Sequence, residues 1–215
     1  MKPIGFKVGW WRIVVKSETQ PKVYKLVLYF YAKALTDMVG GMAAKAVLRH
    51  AGLLDILELE ETPEPNEMIP LGSVRRLREA GVRFFGDTYV AFVRRAGRLA
   101  ARDIRLPTGV EAAVRIASRF RDWRKLMVRV SERFLSPTGA RVEVKYLERG
   151  YVARVYNCPE CAGLSSEKPY CYFLVGFTKG IVKRLCNLDV EVKETRCIAV
   201  GDDFCEFKVT PVKQG

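Results

Sequence analysis

Two spacings of hydrophobic residues divide the chain near residue 139. In the part before it, apolar residues recur every three or four positions, which is the spacing of one face of an α-helix. In the part after it, short segments alternate apolar and polar residues, as half-buried strands do, and one helical stretch lies between them. The pattern predicts an α+β protein in which a helical N-terminal half packs with a sheet.

The N-terminal half is predicted to contain one strand and three helices. The strand covers Ile4 to Val15, and the helices cover Val23 to His50, Ser73 to Ile104 and Val110 to Leu135. Ser73 is the expected N-cap of the second helix, which is predicted to run without a break. Gly40-Gly41 is a weak point of the first helix, and Gly52 is expected to end it. The segment Glu58 to Pro70 contains three prolines and is predicted to be a surface loop.

The C-terminal part is predicted to be a β-β-α-β-β unit. Its elements in chain order are Ala140 to Leu147, Tyr151 to Tyr156, the helix Pro169 to Leu185, Asp189 to Ala199 and Phe204 to Thr210. Polar turns at Glu148-Arg149-Gly150 and Gly201-Asp202-Asp203 close its two hairpins. We expect a single domain over residues 1–215, made of the mainly helical half, 1–139, and this unit, 140–211.

Composition indicates a globular protein of the cytoplasm. A chain of 215 residues with 49% hydrophobic content can bury a good-sized core. No apolar run reaches the roughly 18 to 20 residues that span a bilayer, and the first residues lack the cleavage site of a secretory signal. Free thiols and metal thiolates are the default in the cytoplasm, whereas disulfides are exceptional.

The net charge of +13 is concentrated in the helical half. Residues 70–140 contain 16 basic and 6 acidic residues, and 15 of the basic ones are arginine. A basic surface of this kind can attract nucleic acid. Arginine-rich helix faces also occur simply as solvated surfaces, and the absence of a recognisable RNA- or DNA-binding motif favours that second interpretation.

Five of the six cysteines fall where the strands and helix of the C-terminal unit should converge. They are Cys158, Cys161, Cys171, Cys197 and Cys205. Cys171 opens the predicted helix, whose N-terminus favours a thiolate, and the last hairpin brings Cys197 and Cys205 together. Sulfur ligands without a nearby histidine favour a closed structural zinc site, with a disulfide or unligated thiols as alternatives. The sixth cysteine, Cys186, is predicted to be a core thiol.

The stretch from Cys171 to Phe207 resembles the signature of the 4-vinyl reductase domain family. In that family a cysteine opens a helix with a Gly-Phe-x-x-Gly-like segment, and Glu-x-x-Cys, Gly-Asp and a last cysteine follow. The corresponding residues here are Cys171, Gly176, Phe177, Gly180, Glu194, Cys197, Gly201, Asp202 and Cys205. The resemblance covers roughly residues 140–210. It implies a fold similar to subunits of the transport protein particle, with a four-stranded antiparallel sheet and a homodimer formed through the helices.

The same family includes sensor domains of phenol-responsive transcription activators, in which zinc is held by one cysteine, one glutamate and two further cysteines. The ligands implied for this chain are Cys171, Glu194, Cys197 and Cys205. The Cys158-Pro159-Glu160-Cys161 sequence departs from that pattern and resembles a zinc knuckle. Cys158 and Cys161 are therefore alternative or additional ligands, and the fourth ligand stays open between Glu194 and this sequence.

Members of the family bind small apolar or aromatic molecules, and the helical half is rich in aromatic residues. Those predicted to line a ligand cavity are Phe84, Phe85, Tyr89, Phe92, Phe120 and Trp123. Helical spacing makes ordinary core packing the alternative for each of them. No catalytic residue is predicted, because the only histidine, His50, has no partner for nucleophilic chemistry and no phosphate-binding loop is present.

These observations predict a non-enzymatic, zinc-stabilised module that binds or senses a small hydrophobic or aromatic molecule and signals to a separate protein partner. A first alternative is a protein that associates with nucleic acid or the transcription machinery through the arginine-rich helices. A second alternative, suggested by the family's name, is an accessory to the reduction of tetrapyrrole vinyl groups.

Overall fold

The helical half contains six α-helices within the described part of the chain. The structure, a computed structural model, describes residues 11–13, 22–59, 61–106, 109–120 and 122–212. The helices are α1 (Lys25–Val39), α2 (Gly41–Ala51), α3 (Leu71–Phe85), α4 (Tyr89–Asp103), α5 (Val110–Phe120) and α6 (Trp123–Leu135). Each of the three predicted helices is thus divided in two.

Local backbone chemistry explains where the helices are divided. Gly40, with φ of 82°, separates α1 from α2, and Gly86, with φ of 57°, separates α3 from α4 in a conformation that glycine adopts at little cost. Asp122 begins α6 because its side chain accepts the backbone N–H of Arg124 at 3.0 Å. The prediction of one unbroken helix from residue 73 to residue 104 was therefore wrong.

The predicted helix ends had mixed outcomes. Gly52 ends α2 in the left-handed conformation, as predicted. The prediction of Ser73 as an N-cap was wrong, because α3 already begins at Leu71, directly after Pro70. Proline suits that position, since its fixed φ matches the start of a helix and it has no N–H to leave unpaired. The loop predicted between residues 58 and 70 ends in a short strand.

The C-terminal unit has the predicted β-β-α-β-β order around a four-stranded antiparallel sheet. Eight strands are described: β1 (Trp11–Ile13), β2 (Lys22–Tyr24), β3 (Met68–Pro70), β4 (Arg141–Leu147), β5 (Gly150–Tyr156), β6 (Leu164–Ser166), β7 (Val190–Arg196) and β8 (Cys205–Pro211). The main sheet has the order β4-β5-β8-β7, and helix α7 (Tyr172–Cys186) connects its two hairpins. The short strands pair β1 with β6 and β2 with β3. Of the strand predicted over residues 4–15, β1 is the part that lies within the described residues.

Helices α4 and α7 join the two halves through glycines. A Cβ atom on Gly97 of α4 would lie 2.2 Å from the carbonyl oxygen of Phe173, and one on Gly176 of α7 would lie 2.1 Å from that of Arg94. Gly180 faces Ala101 in the same way. Backbones this close leave no room for a side chain, so the Gly-Phe-x-x-Gly segment fixes α7 against the helical half.

Two hydrophobic cores lie on either side of this contact. One is built among α1 to α4, and the other lies between α7 and the inner face of the sheet. Phe177 of α7 and Leu106 pack against both. Among the described helices, none combines the length and the apolar character that crossing a membrane requires.

Candidate metal centre

Five cysteines from four separate segments converge at the N-terminal end of α7. Cys158 and Cys161 belong to the turn after β5, Cys171 is the N-cap of α7, Cys197 follows β7, and Cys205 begins β8. All five side chains are buried and unpaired by disulfides. We call these five residues the thiol cluster.

The sulfur atoms of the cluster lie at short and similar separations. Cys161 Sγ is 3.0 Å from Cys171 Sγ, 3.3 Å from Cys197 Sγ and 3.5 Å from Cys205 Sγ. Cys171 Sγ is also 3.6 Å from Cys205 Sγ and 3.6 Å from Cys158 Sγ. Cys161 therefore lies at the middle of the cluster, although the family signature assigns it no role.

Backbone groups hold the sulfurs in place. The Cys197 N–H donates to the Asp202 carboxylate at 2.8 Å, which ties the ends of the last hairpin turn together. Two further backbone N–H groups point at sulfur: that of Tyr170 at Cys197 Sγ and that of Ile198 at Cys205 Sγ, each at 3.4 Å. Donors aimed at sulfur favour its charged thiolate form.

Glu194 borders the cluster with one oxygen free. Its Oε2 accepts the backbone N–H of Cys171 at 2.9 Å, whereas its buried Oε1 has no hydrogen-bond partner among the described residues. Burial, with the nearby Cys197, raises the pKa of this carboxyl to about 10. One ligand atom each from Cys161, Cys171, Glu194, Cys197 and Cys205 lie within 4.8 Å of one another. These residues form a cluster that can hold a metal ion.

Electrostatics also favours a cation in this cluster. Burial raises the pKa of the Cys171 thiol well above its usual range, because a thiolate in an apolar interior has lost its hydration. Several adjacent thiolates would repel one another as well. A bound cation removes both penalties, since it replaces the lost hydration and balances the charge.

Glu160, between the two cysteines of the 158–161 turn, connects this site to the helical half. Its carboxylate accepts the backbone N–H groups of Phe173 at 2.9 Å and Leu174 at 3.1 Å, in the first turn of α7. It also forms an ion pair with Arg78 of α3 at 2.6 Å, with both side chains about 95% buried. Arg78 in turn donates to the Tyr31 hydroxyl at 2.9 Å. The sequence analysis missed this pair; its one signal was that Arg78 follows Val74 by four residues, on the apolar face of α3.

An apolar cavity of about 80 Å³ lies beside this ion pair. Its walls come from β2, α1, α3, α4, the end of α6, the 158–161 turn and α7. Arg78 and Glu160 supply its charged lining, and Phe173, Leu174 and Phe177 supply the α7 wall. A second cavity of about 10 Å³ lies on the other side of Arg78, next to Tyr170 and Tyr172.

The aromatic residues predicted to line a ligand cavity are dispersed in the structure. Tyr89 borders the smaller cavity. Phe85 and Phe92 pack against each other in the helical core, with ring centroids 5.0 Å apart, and Phe84 is exposed. Trp123 packs on Tyr151 of the sheet. The Phe120 side chain lies outside the described part of the chain. The walls of the larger cavity come from other residues, and their participation could not be read from aromatic content.

The remaining candidates lie away from the cluster. Cys186, at the end of α7, is half-buried, and burial raises the pKa of its thiol to about 11. His50 ends near α3, where its Nε2 lies 3.3 Å from Arg83 Nη1. Neither residue contributes to the thiol cluster.

Comparison with known proteins agrees with the family predicted from the cysteine signature. The model of the 4-vinyl reductase domain matches residues 151–211. An uncharacterised protein of Methanocaldococcus jannaschii is 45% identical over 62 residues, which are 29% of this chain and 34% of that protein. The chain spans about a third of the length of the first curated relatives that it matches.

Solved structures share the fold at low sequence identity. The phenol-responsive sensory domain of the transcription activator PoxR, solved with phenol, has a TM-score of 0.52 and 15% identity, over 68% of this chain and 77% of that one. The unliganded Fe(II) H-NOX protein of K. algicida has a TM-score of 0.58 and 7% identity, over 89% and 98%. The predicted likeness to transport protein particle subunits stays a prediction. Residues 151–211 of this chain form a 4-vinyl reductase domain, and the structure around them has the fold of these sensor proteins.

Proposed function

We propose that this protein is a zinc-stabilised sensor module that binds a small apolar molecule. The observation that carries the proposal is the thiol cluster beside an apolar cavity, with one turn of the chain shared between them. The fold supports it, since PoxR, whose sensory domain has the same fold, responds to phenol.

The donor set fits zinc. A tetrahedral zinc thiolate has Zn–S bonds of about 2.3 Å, which places its sulfurs about 3.8 Å apart. The separations of 3.0 to 3.6 Å in the thiol cluster are slightly shorter and leave the sulfurs poised around one centre. Four thiolates without an imidazole suit a structural zinc ion that excludes water.

Cys161 is the fourth ligand that the geometry favours. Its sulfur is within 3.5 Å of the sulfurs of all three cysteines in the family signature. Glu194 instead uses one oxygen to hold the Cys171 backbone N–H, and its other oxygen supports the site from beside it. Cys158 lies at the edge of the cluster, where its sulfur is 3.6 Å from that of Cys171.

The cavity favours a neutral ligand. The Arg78 guanidinium is already bonded to Tyr31 and Glu160, and the Glu160 carboxylate is bonded to two backbone N–H groups as well. Their charges and hydrogen-bonding groups satisfy each other, so a charged ligand would have to break a buried ion pair. An apolar body needs no such exchange.

Metal analysis of cysteine variants tests the zinc site. Protein purified without added metal is expected to contain about one zinc per chain. Cys161→Ser and Cys197→Ser are expected to reduce this below about half, whereas the matched control Cys186→Ser, outside the cluster, keeps it. Glu194→Gln is expected to retain zinc. Retention of full zinc by Cys161→Ser with loss in Glu194→Gln would reverse the assignment of the fourth ligand.

Titration with benzene and benzoate, followed by NMR shifts of α7 amides, tests the ligand site. The two compounds match in size and differ in charge. Benzene is expected to shift residues 173–177, and benzoate at the same concentration is expected to leave them unchanged. Benzoate binding with displacement of the Glu160 contacts would show that the cavity selects an anion instead.

The alternatives receive less support from the structure. Several arginines of the basic segment are paired with neighbouring acids, as in Arg95–Asp37, Arg102–Asp103 and Arg124–Asp122, which reduces the free charge available to nucleic acid. A tetrapyrrole is far larger than the 80 Å³ cavity, and the only histidine of the chain lies beside Arg83 rather than facing that cavity. A homodimer and a separate signalling partner stay predictions.

A further inference from the structure

The turn at residues 158–161 is part of the metal site and part of the cavity wall at once. Its outer residues, Cys158 and Cys161, place their sulfurs in the thiol cluster. Its inner residues, Pro159 and Glu160, line the apolar cavity. Four consecutive residues of backbone therefore belong to both sites, and a shift of the turn at one site moves the wall of the other.

The first turn of α7 duplicates this arrangement. Cys171, the N-cap, is in the thiol cluster, and Phe173 and Leu174, two and three residues later, line the cavity. Glu160 binds the N–H groups of these last two residues, so the turn and the helix are held to each other by a carboxylate at a helix N-terminus. Both segments that the metal would order thus carry cavity residues.

Arg78 fixes this assembly to the far wall. It comes from α3, on the helical side of the cavity, and its guanidinium donates to both the carboxylate and the backbone carbonyl of Glu160. The Arg78–Glu160 pair is therefore a direct polar connection between the 4-vinyl reductase domain and the helical half across this cavity. Because the pair is buried, its geometry tolerates little displacement.

We propose that metal binding at the thiol cluster and ligand binding in the apolar cavity are positively linked through the 158–161 turn, with Glu160 as the positioning residue. This inference rests on the proposed function. Metal orders the turn and the first turn of α7, which pre-forms the cavity wall. Ligand in the cavity stabilises the same wall and so retains the metal, since such linkage is reciprocal.

Zinc release in the presence of benzene tests the linkage in the metal-loaded protein. Zinc transfer to a chromophoric chelator is followed with and without saturating benzene, and benzene binding is confirmed separately by NMR. In the wild type we expect benzene to slow zinc release about fivefold or more, the range of typical coupling between sites. If benzene binds and the release rate is unchanged, the linkage is overturned while the proposed function stands. If benzene does not bind, both fail.

Two variants with matched controls separate linkage from general stabilisation. Glu160→Gln, which keeps the shape of the side chain and removes its charge, is expected to bind zinc and to lose the benzene effect; Glu143→Gln, at an exposed ion pair of β4, is expected to keep it. Val27→Phe, which fills the cavity from α1, is expected to abolish the benzene effect, unlike Ile116→Phe on an exposed position of α5. Should Glu160→Gln fail to fold, the Val27→Phe comparison decides: a benzene effect that persists there arises outside the cavity and overturns the proposal.

Discussion

At the scale of single residues, Glu160 carries more of the structure than its place between two cysteines suggests. Its carboxylate binds one guanidinium and two backbone N–H groups in a site that excludes water. Burial raises the pKa of this carboxyl, and Arg78 opposes that effect by stabilising the charged form. A buried pair of this kind contributes little by itself, but removing one partner leaves the other without compensation.

Arg78→Met is expected to lower the free energy of unfolding by about 3–5 kcal/mol, because Glu160 would remain buried without its counter-charge. The measurement is urea unfolding followed by circular dichroism. Arg102→Met is the matched control: its ion pair with Asp103 is at the surface, with the arginine side chain 65% exposed, and its loss is expected to cost about 0–1 kcal/mol. Equal effects of the two substitutions would contradict the role given to the buried pair.

Cys186 is expected to react slowly with alkylating reagents. A pKa of about 11 leaves about one thiol in a thousand ionised at pH 8, compared with about one in four for a free cysteine. Iodoacetamide labelling of folded protein, read by peptide mass spectrometry, should be about 100-fold slower at Cys186 than in urea-unfolded protein and should accelerate as pH rises towards 11. Labelling at the unfolded rate would show that the thiol is not desolvated.

At the scale of elements, the contact between α4 and α7 determines how the two halves meet. Glycines on both helices bring the backbones together, and what a larger residue would meet is backbone rather than a flexible side chain. The adjustment must therefore be a movement of a whole helix. Since α7 carries both Cys171 and the cavity wall, such a movement reaches both sites.

Gly97→Ala is expected to destabilise the protein by about 1–3 kcal/mol, or more if the helices cannot separate, as overpacking of a close contact does. Gly72→Ala is the matched control, because an added Cβ there meets nothing within 4 Å, and alanine raises helix propensity by up to about 1 kcal/mol. Thermal unfolding compares the two variants. A Gly97→Ala protein as stable as Gly72→Ala would show that the helices are less closely packed than described.

At the scale of the whole molecule, the two hydrophobic cores are joined by the α4–α7 contact and by the Arg78–Glu160 pair. Neither connection is peripheral, since one runs along a helix and the other crosses the cavity. The thiol cluster lies at the end of the same helix. Loss of metal is therefore expected to affect more than the sheet around it.

Removal of metal with a chelator is expected to lower hydrogen-exchange protection in both halves together. Amides of α1 to α4 should lose protection with those of β5, β7 and β8, because the first turn of α7 supports both cores. Exchange measured by mass spectrometry on metal-loaded and chelated protein provides the comparison. Early exchange in the sheet with unchanged protection in α1 to α4 would instead show that the halves unfold independently, contrary to the predicted single domain.

The sequence by itself determined the features that depend on neighbours along the chain. Alternation placed the four strands and their two turns, helical spacing placed most of the helical segments, and the fixed spacing of Cys171, Glu194, Cys197 and Cys205 identified the 4-vinyl reductase domain. It also indicated that Gly40 weakens the first helix, because glycine acts locally on backbone conformation. The same reasoning missed the break at Gly86, where nothing along the chain required the predicted helix to end.

Only the tertiary structure decided which distant groups meet. It placed Cys161 at the middle of the thiol cluster, and it paired Glu160 with Arg78, 82 positions away. It also built the cavity from residues of six elements and one turn, while the predicted aromatic residues went to other places. Sequence spacing reports which face of an element is apolar. It does not report which charge that face encloses, because burial of an ion pair is decided by the partner that packing brings to it.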